Sequence, residues 1–263
     1  MKTKRHLENL SDIRRGLGKW QICLRWSYID LIQGYRRSSI GSVWLSINLL
    51  VFSLGMAGVF SILWKTSPAE FLPYVIVGTL LWQLISGCLV EGANALIQCK
   101  QHITNSNFPI FAYIIKYFFQ KLWHLAHTIP VAAIVVFIFG DIVQANVGLL
   151  LAALMLTLFL LVPVVSVLSI IAVRYRDAPM ILQNLVQVTF FCTPVFWKYE
   201  HLGTKTFIAD VNPIYWYLNL FRYAFGVEPY HGTLLKACIL PLLAWIIFFS
   251  LWLKYRQRIF HWI

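Results

Sequence analysis

Residues 147–173, VGLLLAALMLTLFLLVPVVSVLSIIAV, form an uncharged run of 27 residues that is followed at once by Arg174-Tyr175-Arg176-Asp177. A helix needs roughly 20 apolar residues to cross a hydrocarbon core of about 30 Å. The run therefore predicts a membrane-spanning helix, and the charged tetrad predicts a tight turn at the membrane surface. We interpret the turn as a charged hairpin that pins two spans, or as a contact for a partner.

Similar apolar runs occupy much of the remaining chain. Hydrophobic residues make up 59% and charged residues 12% of the sequence, whereas about 25% of the residues of soluble domains are charged. We predict an all-α integral membrane protein with a tail at residues 1–38 and a transmembrane domain at 39–263. Its six spans lie at 40–64, 71–96, 112–139, 147–173, 180–197 and 233–253, of which 180–197 is the shortest.

The charges divide unevenly between the two sides of these spans. With both termini inside, 17 of the 22 lysines and arginines fall at inner segments or inner span ends, with five of the ten acidic residues. The outer side balances five against five, so the net charge of +12 is all internal. Lysine and arginine near span ends resist translocation, so we expect cytoplasmic termini. Attraction to anionic lipid explains the basic charge, and we expect no nucleic-acid partner.

The segment before the first span has an amphipathic helical pattern over residues 13–37. This predicts one helix lying in the inner interface, with its apolar side in lipid. A second apolar strip contains Ile22, Trp26 and Ile29, and it needs a cover. That cover is either a partner protein or the chain's own helices. The lipid-facing strip comprises Ile13, Leu17, Trp20, Leu24, Tyr28, Leu31 and Tyr35.

Two connections carry further signals. Residues 99–111 are polar and then turn at Phe108-Pro109. This pattern predicts a short helix that ends before the proline and an inner contact surface for a partner.

The outer connection, 198–232, contains an apolar stretch that is too short to cross the membrane and is interrupted by Arg222. We predict a re-entrant aromatic hairpin at 203–232, with a surface aromatic belt as the alternative. Its candidate outer-gate residues are Asn212, Pro213, Tyr215, Trp216, Tyr217, Phe221 and Arg222.

Chemistry-bearing motifs are few. The sequence has no G-x-x-x-x-G-K-[ST] loop, so we expect no ATP binding by this chain. Five scattered cysteines indicate packing rather than a metal site or disulfides. Few ionisable residues lie in mid-span, which disfavours ion-coupled transport.

Aromatic side chains within the spans can stack on sugar rings in a passage, or simply pack in the core or against lipid. The candidates are Phe52, Phe60, Trp64, Phe190, Phe191 and Phe196.

Ordered landmarks along the chain resemble those of the permease subunit of ABC-2 type polysaccharide exporters, which move lipid-linked O-antigen, capsule or teichoic acid. The resemblance covers essentially the whole chain. Leu49 departs from it, because many members carry a proline there. The landmarks are Tyr35 to Trp44 (YRRSSIGSVW), Phe108-Pro109, Arg174 to Asp177, Thr193-Pro194-Val195, and Asn212-Pro213 to Phe221-Arg222.

The resemblance implies a homodimer in a bacterial plasma membrane, with a pore lined by spans one and five and closed outside by the hairpin. Two copies of a separate ATPase, which hold ATP and magnesium, would dock on the cytoplasmic side. This chain itself would bind no cofactor and catalyse no reaction. Four arginines would attract the pyrophosphate of a polyprenyl-linked glycan: Arg36, Arg37, Arg174 and Arg176. The residues that would receive the ATPase's motion are Trp20, Trp26, Lys100, His102, Phe108 and Pro109.

Two other functions stay open from the sequence. One is an ABC-2 exporter of a drug or a single lipid. The other is a membrane enzyme acting on polyprenyl-linked sugars, with His124, His127 or Asp141 as the catalyst. His124 and His127 share a helix face because they are three residues apart, but little acid accompanies them.

Overall fold

The computed structural model describes residues 2–140, 145–204 and 206–263, with side chains from Asn9 onward. Within these ranges the regular elements are all helical. They are α1 Lys2–Leu17, α2 Trp20–Gly34, α3 Val43–Trp64, α4 Pro68–Ala93, α5 Ala95–Gln98, α6 Lys100–Asn105, α7 Ile110–Phe139, α8 Val147–Arg174, α9 Ala178–Cys192, a 3₁₀ turn Tyr199–Leu202, α10 Phe207–Asp210, α11 Pro213–Ala224 and α12 Leu234–Trp262.

Five of the described helices are long and apolar enough to cross a membrane, namely α3, α4, α7, α8 and α12. The chain is therefore a multi-pass membrane protein. The predicted span at 180–197 is helical only over Ala178–Cys192, shorter than the roughly 17 residues that a crossing needs. The chain continues beyond α9 until Phe196 packs on Phe60 of α3, with ring centroids 4.6 Å apart. A sixth crossing stays a prediction.

Helix α4 is the centre of the bundle. Its side chains are buried without a break from Phe71 to Leu81, and it packs against α3, α7, α8, α9 and α11. A helix that is hydrophobic on all sides is expected to be buried on all sides. Helix α12 packs along α8 on the far side of the bundle, and Trp252 of α12 is fully buried against Phe111 at the start of α7.

The prediction of one amphipathic helix over residues 13–37 was wrong. The helix breaks at Gly18-Lys19, since glycine costs about 1 kcal/mol in a helix interior. Both halves pack on α7, and α1 also packs on α12. The buried side chains of α2 are Cys23, Ser27 and Leu31. Leu31 was predicted to face lipid and is instead buried within the protein, whereas Leu17, Trp20 and Tyr28 of the same strip are exposed.

A buried carboxylate fixes α1 to the rest of the bundle. Asp12 accepts hydrogen bonds from the backbone N–H groups of Ile110 (3.4 Å) and Phe111 (3.1 Å) at the start of α7. An anion is favourable there because the first N–H groups of a helix have no internal partner. Arg256 of α12 completes the junction with an Asp12 contact of 2.6 Å.

The segment predicted as a re-entrant hairpin, 203–232, contains two short helices among its described residues, α10 and α11. The longer, α11, begins at Pro213 after Asn212, whose side-chain oxygen accepts from the backbone N–H of Ile214 at 3.0 Å. Asparagine at the N-cap followed by proline is a favourable helix start. Helix α11 packs against α4, α8 and α12, and its entry into the membrane from the outer side stays a prediction.

Candidate functional site

A groove of about 640 Å³ lies where α6 and the start of α7 meet the junction of α1 and α2. Trp26 is its central aromatic side chain. The indole packs edge-on against His102, Phe108 and Tyr113, with centroid separations of 5.1, 6.5 and 5.9 Å. We call it the Trp26 groove, and it is lined by Arg15, Gly18, Lys19, Trp26, His102, Ser106, Asn107, Phe108, Pro109 and Tyr113.

Trp26, in the Trp26 groove, is in contact with a lysine of α7. Lys116 of α7 forms an ion pair with Asp30 of α2, and its ammonium lies 4.6 Å from the centroid of the Trp26 ring. A cation held over an indole face is attracted to the ring as well as to the carboxylate. Lys116 of α7 therefore contacts two side chains of α2, Trp26 and Asp30.

Four of the six predicted coupling residues meet in this groove, namely Trp26, His102, Phe108 and Pro109. The chain's own residues cover Trp26, while Ile22 and Ile29 of the same strip stay about half exposed. Trp20 and Lys100 lie elsewhere. As predicted, a short helix, α6, ends before Pro109.

The four predicted phosphate-attracting arginines do not form one cluster. Arg176 borders a pocket of about 380 Å³ together with Lys100 and Trp262, and the guanidinium of Arg174 lies 5.2 Å from the Trp262 ring centroid. Arg36 and Arg37 are exposed after α2, and neither lines the pocket that Arg176 borders. The structure thus brings Lys100, predicted as a coupling residue, to Arg176.

A second cavity lies midway along the bundle, between α3, α4, α7 and α9, with a volume of about 560 Å³. We call it the amide cleft because three glutamines line it. Sequence reasoning missed them, although the i, i+4 spacing of two of them within an apolar run was a usable signal. Its lining is Phe52, Thr79, Trp82, Gln83, Ser86, Gly87, Val90, Glu91, Lys121, His124, Gln183, Val186, Gln187 and Phe190.

An ion pair closes one end of the amide cleft. Lys121 of α7 is 7% exposed, and its ammonium donates to Glu91 of α4 at 2.6 Å. The Glu91 side chain is mostly exposed at the cleft. A buried charge is costly unless it is paired, so Lys121 is held by Glu91, and the pair has no net charge.

Four of the predicted passage aromatics form one cluster. The Phe196 ring packs on those of Phe60, Phe190 and Phe191, with centroid separations of 4.6, 5.2 and 6.2 Å. Phe52 and Phe190 also line the amide cleft, and Phe191 is 63% exposed. Trp64, at the end of α3, instead stacks on His201 at 4.0 Å between centroids.

A fully buried arginine organises the predicted outer gate. Arg222 donates to the carbonyl oxygens of Pro194 (2.6 Å), Val195 (2.7 Å) and Tyr74 (3.1 Å). Its guanidinium carbon lies 3.4 Å from the Tyr74 ring centroid, and Glu228 lies 3.5 Å away. We call this set the Arg222 anchor. It joins α4, the turn after α9 and α11.

The other predicted gate residues surround this anchor. Asn212 donates to the Thr193 hydroxyl at 2.8 Å, so two separate landmarks of the sequence meet at one turn. Tyr215, Tyr217 and Phe221 are buried in the core of the subunit. Trp216 is partly buried and donates to the Asp210 carbonyl at 2.8 Å, and Pro213 is exposed.

The two histidines of α7 have different surroundings. His127 bridges helices, with Nε2 3.0 Å from the Ser42 hydroxyl and Nδ1 2.8 Å from the Trp123 carbonyl. His124 lines the amide cleft. Asp141 lies outside the described residues. Over the part of the chain that the structure describes, no three His, Cys, Asp or Glu side chains are grouped to hold a metal ion.

Cys23 is the buried thiol nearest the Trp26 groove. Its sulfur donates to the Ala112 carbonyl at 3.3 Å. Burial raises the pKa of Cys23 to about 11, so the thiolate that nucleophilic chemistry requires is scarce at neutral pH. The residue serves to pack α2 on α7.

The model of the ABC-2 type transporter family matches residues 19–225 of the chain. This range contains the amide cleft, the turn held by the Arg222 anchor and all of the residues that line the Trp26 groove except Arg15 and Gly18. The chain belongs to the ABC-2 type transporter family. The match leaves out α1 and α12, so the Asp12 junction attaches two further helices to the ABC-2 region.

Two curated relatives of this ABC-2 protein are both named O-antigen export system permease protein RfbA. The chain is 23% identical over 188 residues to the protein from Myxococcus xanthus and 22% identical over 188 residues to that from Klebsiella pneumoniae. In both cases the alignment covers 70% of this chain and 72% of the relative.

Proposed function

We propose that this chain is the channel-forming subunit of an ATP-driven exporter that moves a lipid-linked polysaccharide, such as O-antigen, across the bacterial plasma membrane. Two copies assemble around a passage, and two copies of a separate ATPase drive them. The chain carries out no covalent chemistry. Family membership and the names of the two relatives support the class of cargo.

The observation that carries the proposal is the surface of α9. None of its side chains is buried, and it presents the amides of Gln183, Asn184 and Gln187 on an otherwise apolar helix. Amides facing hydrocarbon are costly because lipid offers no hydrogen-bond partner. These three residues therefore need water or a polar cargo, which a passage beside α9 supplies.

A second copy of the chain provides the other wall of that passage. Homo-oligomers are most often two-fold symmetric, so the same face of each subunit meets at the axis. Placing α3 and α9 at the axis covers α9 and encloses its amides. Exposed Phe52 of α3 and Phe191 of α9 then contribute aromatic faces on which sugar rings can stack.

The driving force enters from the cytoplasmic side. The sequence has no phosphate-binding loop, so ATP and magnesium are held by the partner ATPase, and the Trp26 groove is the surface that receives it. Motion at Trp26 passes to α7 through Lys116 and Asp30, and α7 also forms one wall of the amide cleft. Both termini are cytoplasmic in this arrangement, because the net charge lies on that side.

The cargo's pyrophosphate is attracted at the same side. Arg176 and Lys100 border one pocket, and Arg174 lies beside it on Trp262. Guanidinium groups match phosphate geometry, and clustered cations add attraction. Arg36 and Arg37 are exposed before α3 and extend the basic surface.

Depletion of the chain in its native host tests the proposal. We expect full-length lipid-linked glycan to accumulate at the inner leaflet while surface glycan is lost, and we expect the wild-type chain to restore export. The purified chain should bring down an ATPase carrying a phosphate loop. Normal surface glycan after depletion would favour a drug or single-lipid cargo, and absence of polymer synthesis would favour a membrane enzyme.

A further inference from the structure

We propose that the amide cleft is a saccharide-binding subsite, which holds a sugar unit of the cargo through the side-chain amides of Gln83, Gln183 and Gln187 and the ring of Trp82. This inference rests on the proposed function and adds a site for the glycan itself. It is distinct from the basic pocket beside Arg176, which is suited to phosphate.

The size and the walls of the cleft fit a small polar ligand. Its volume of about 560 Å³ lies within the range of about 300–1,000 Å³ that is typical of small-molecule sites. Gln83 belongs to α4, the rigid centre of the bundle, whereas Gln183 and Gln187 belong to α9. A ligand in the cleft is therefore held between a fixed wall and the wall that faces the passage.

The polar groups of the cleft suit hydroxyl groups. A glutamine amide offers both an N–H donor and a carbonyl acceptor, and a sugar hydroxyl likewise donates and accepts. Gln183 and Gln187 are four residues apart on one face of α9, so both amides reach the same ligand. None of the hydrogen bonds within the described part of the chain uses these three amides, which leaves them available.

The aromatic side chains supply the second element of sugar recognition. The rings of Trp82 and Phe190 lie 5.1 Å apart at the cleft wall, and both are only partly buried. Apolar ring faces pack against the C–H faces of sugars while the amides bind the edges. Phe52 of α3 lines the same space.

Other ligand classes fit this lining poorly. An anion such as pyrophosphate gains little, because the ammonium of Lys121 is already paired with Glu91 at 2.6 Å and the pair is neutral overall. A hydrocarbon chain would leave three amides and the Glu91 carboxylate without partners. A neutral, hydroxyl-rich ligand satisfies both the amides and the rings.

The test uses the complex of this chain with its ATPase, reconstituted in lipid. Two probes are added: lipid-linked glycan extracted from the host, and the polyprenyl pyrophosphate carrier without sugars. The variant is Gln183→Met with Gln187→Met, which keeps side-chain length and removes the amides. The matched control is Leu185→Met, on the same helix but outside the lining of the cleft.

We expect the double variant to raise the glycan concentration for half-maximal ATPase stimulation about tenfold, since two hydrogen bonds are lost. The response to the sugar-free carrier should stay unchanged. Leu185→Met should behave as wild type. A double variant that responds like wild type overturns the proposal, and so does an equal shift for both probes, which would indicate recognition of the carrier.

A second measurement covers the case in which the double variant does not assemble. A photoreactive residue at Gln187 should capture glycan in cells, whereas one at Leu185, on the opposite face of α9, should not. Capture only at Leu185, or at neither position, contradicts the saccharide site. If the wild-type complex responds to neither probe, the proposed function itself fails. If the wild-type complex responds to glycan and the cleft variant responds equally, only the saccharide site fails.

Discussion

Helices α4 and α9 have similar apolar composition but opposite environments. In α4 the side chains from Phe71 to Leu81 are buried on all faces, whereas α9 has no buried side chain within the described chain. Hydrophobicity alone therefore does not tell a core helix from a helix at the surface of the subunit. The exposed face of α9 also carries three amides, those of Gln183, Asn184 and Gln187.

The Arg222 anchor joins these two regions, so its removal should have the largest effect. Arg222→Met leaves Glu228 buried without its guanidinium and takes one hydrogen-bond donor away from each of three carbonyls. Breaking a buried charge pair from one side costs about 3–5 kcal/mol. We expect a large fall in the thermal midpoint of the purified chain.

The control for this change is Arg176→Met at the exposed surface, which should alter stability by less than about 0.5 kcal/mol. Equal effects of the two substitutions would mean that the outer half of α4 is not held by Arg222.

Truncation of one leucine on each helix tests the comparison directly. Leu81 of α4 is fully buried, so Leu81→Ala should destabilise the chain by about 2–5 kcal/mol through lost packing and a cavity. Leu185 of α9 is 57% exposed, and Leu185→Ala should change stability by less than about 0.5 kcal/mol. The measurement is thermal unfolding in detergent at concentrations where the chain is monomeric. A large effect at Leu185 would place α9 in the core.

A glycine in α4 gives a third, smaller effect. A Cβ at Gly78 would lie 2.4 Å from Arg222 Nη2 and 2.8 Å from the Val195 carbonyl oxygen. Because both groups are fixed by the anchor, Gly78→Ala should destabilise by about 1–3 kcal/mol. Gly55→Ala in α3 meets nothing within 4 Å and should stabilise by about 0.5–1 kcal/mol, since alanine favours helix. Thermal midpoints moving in the same direction would contradict the close packing at Gly78.

The smallest expected effect concerns pH at the end of α3. Burial, together with the nearby Lys198, lowers the pKa of His201, which stacks on Trp64. The folded chain therefore binds fewer protons than the unfolded chain below about pH 6.5, and stability contributed by His201 is lost as the pH falls through this range.

The thermal midpoint of wild type should thus approach that of His201→Gln between about pH 7 and pH 5. A constant difference between the two proteins would exclude titration of His201 as the cause.

The sequence predicted the span-rich, all-helical class and the short helix before Pro109, because apolar length and proline act locally. It failed for residues 13–37, where the predicted single helix breaks at Gly18-Lys19 and Leu31 of the predicted lipid-facing strip is buried in the tertiary fold. The amide cleft was missed because Gln83 and Gln187 are about 100 residues apart. Landmarks such as Thr193 and Asn212 were recognised, but their direct contact was not predictable from either one.

Apolar run length and charge bias are properties of the chain itself, so the sequence alone determined that this protein lies in a membrane and predicted which side its termini occupy. Only the tertiary structure decided which helix is the core and which is left open. It also decided that Arg222 is buried among carbonyl groups of other segments. The physical reason is that hydrophobicity fixes a residue's preferred solvent, whereas the partner of each polar group depends on helices that meet only after folding.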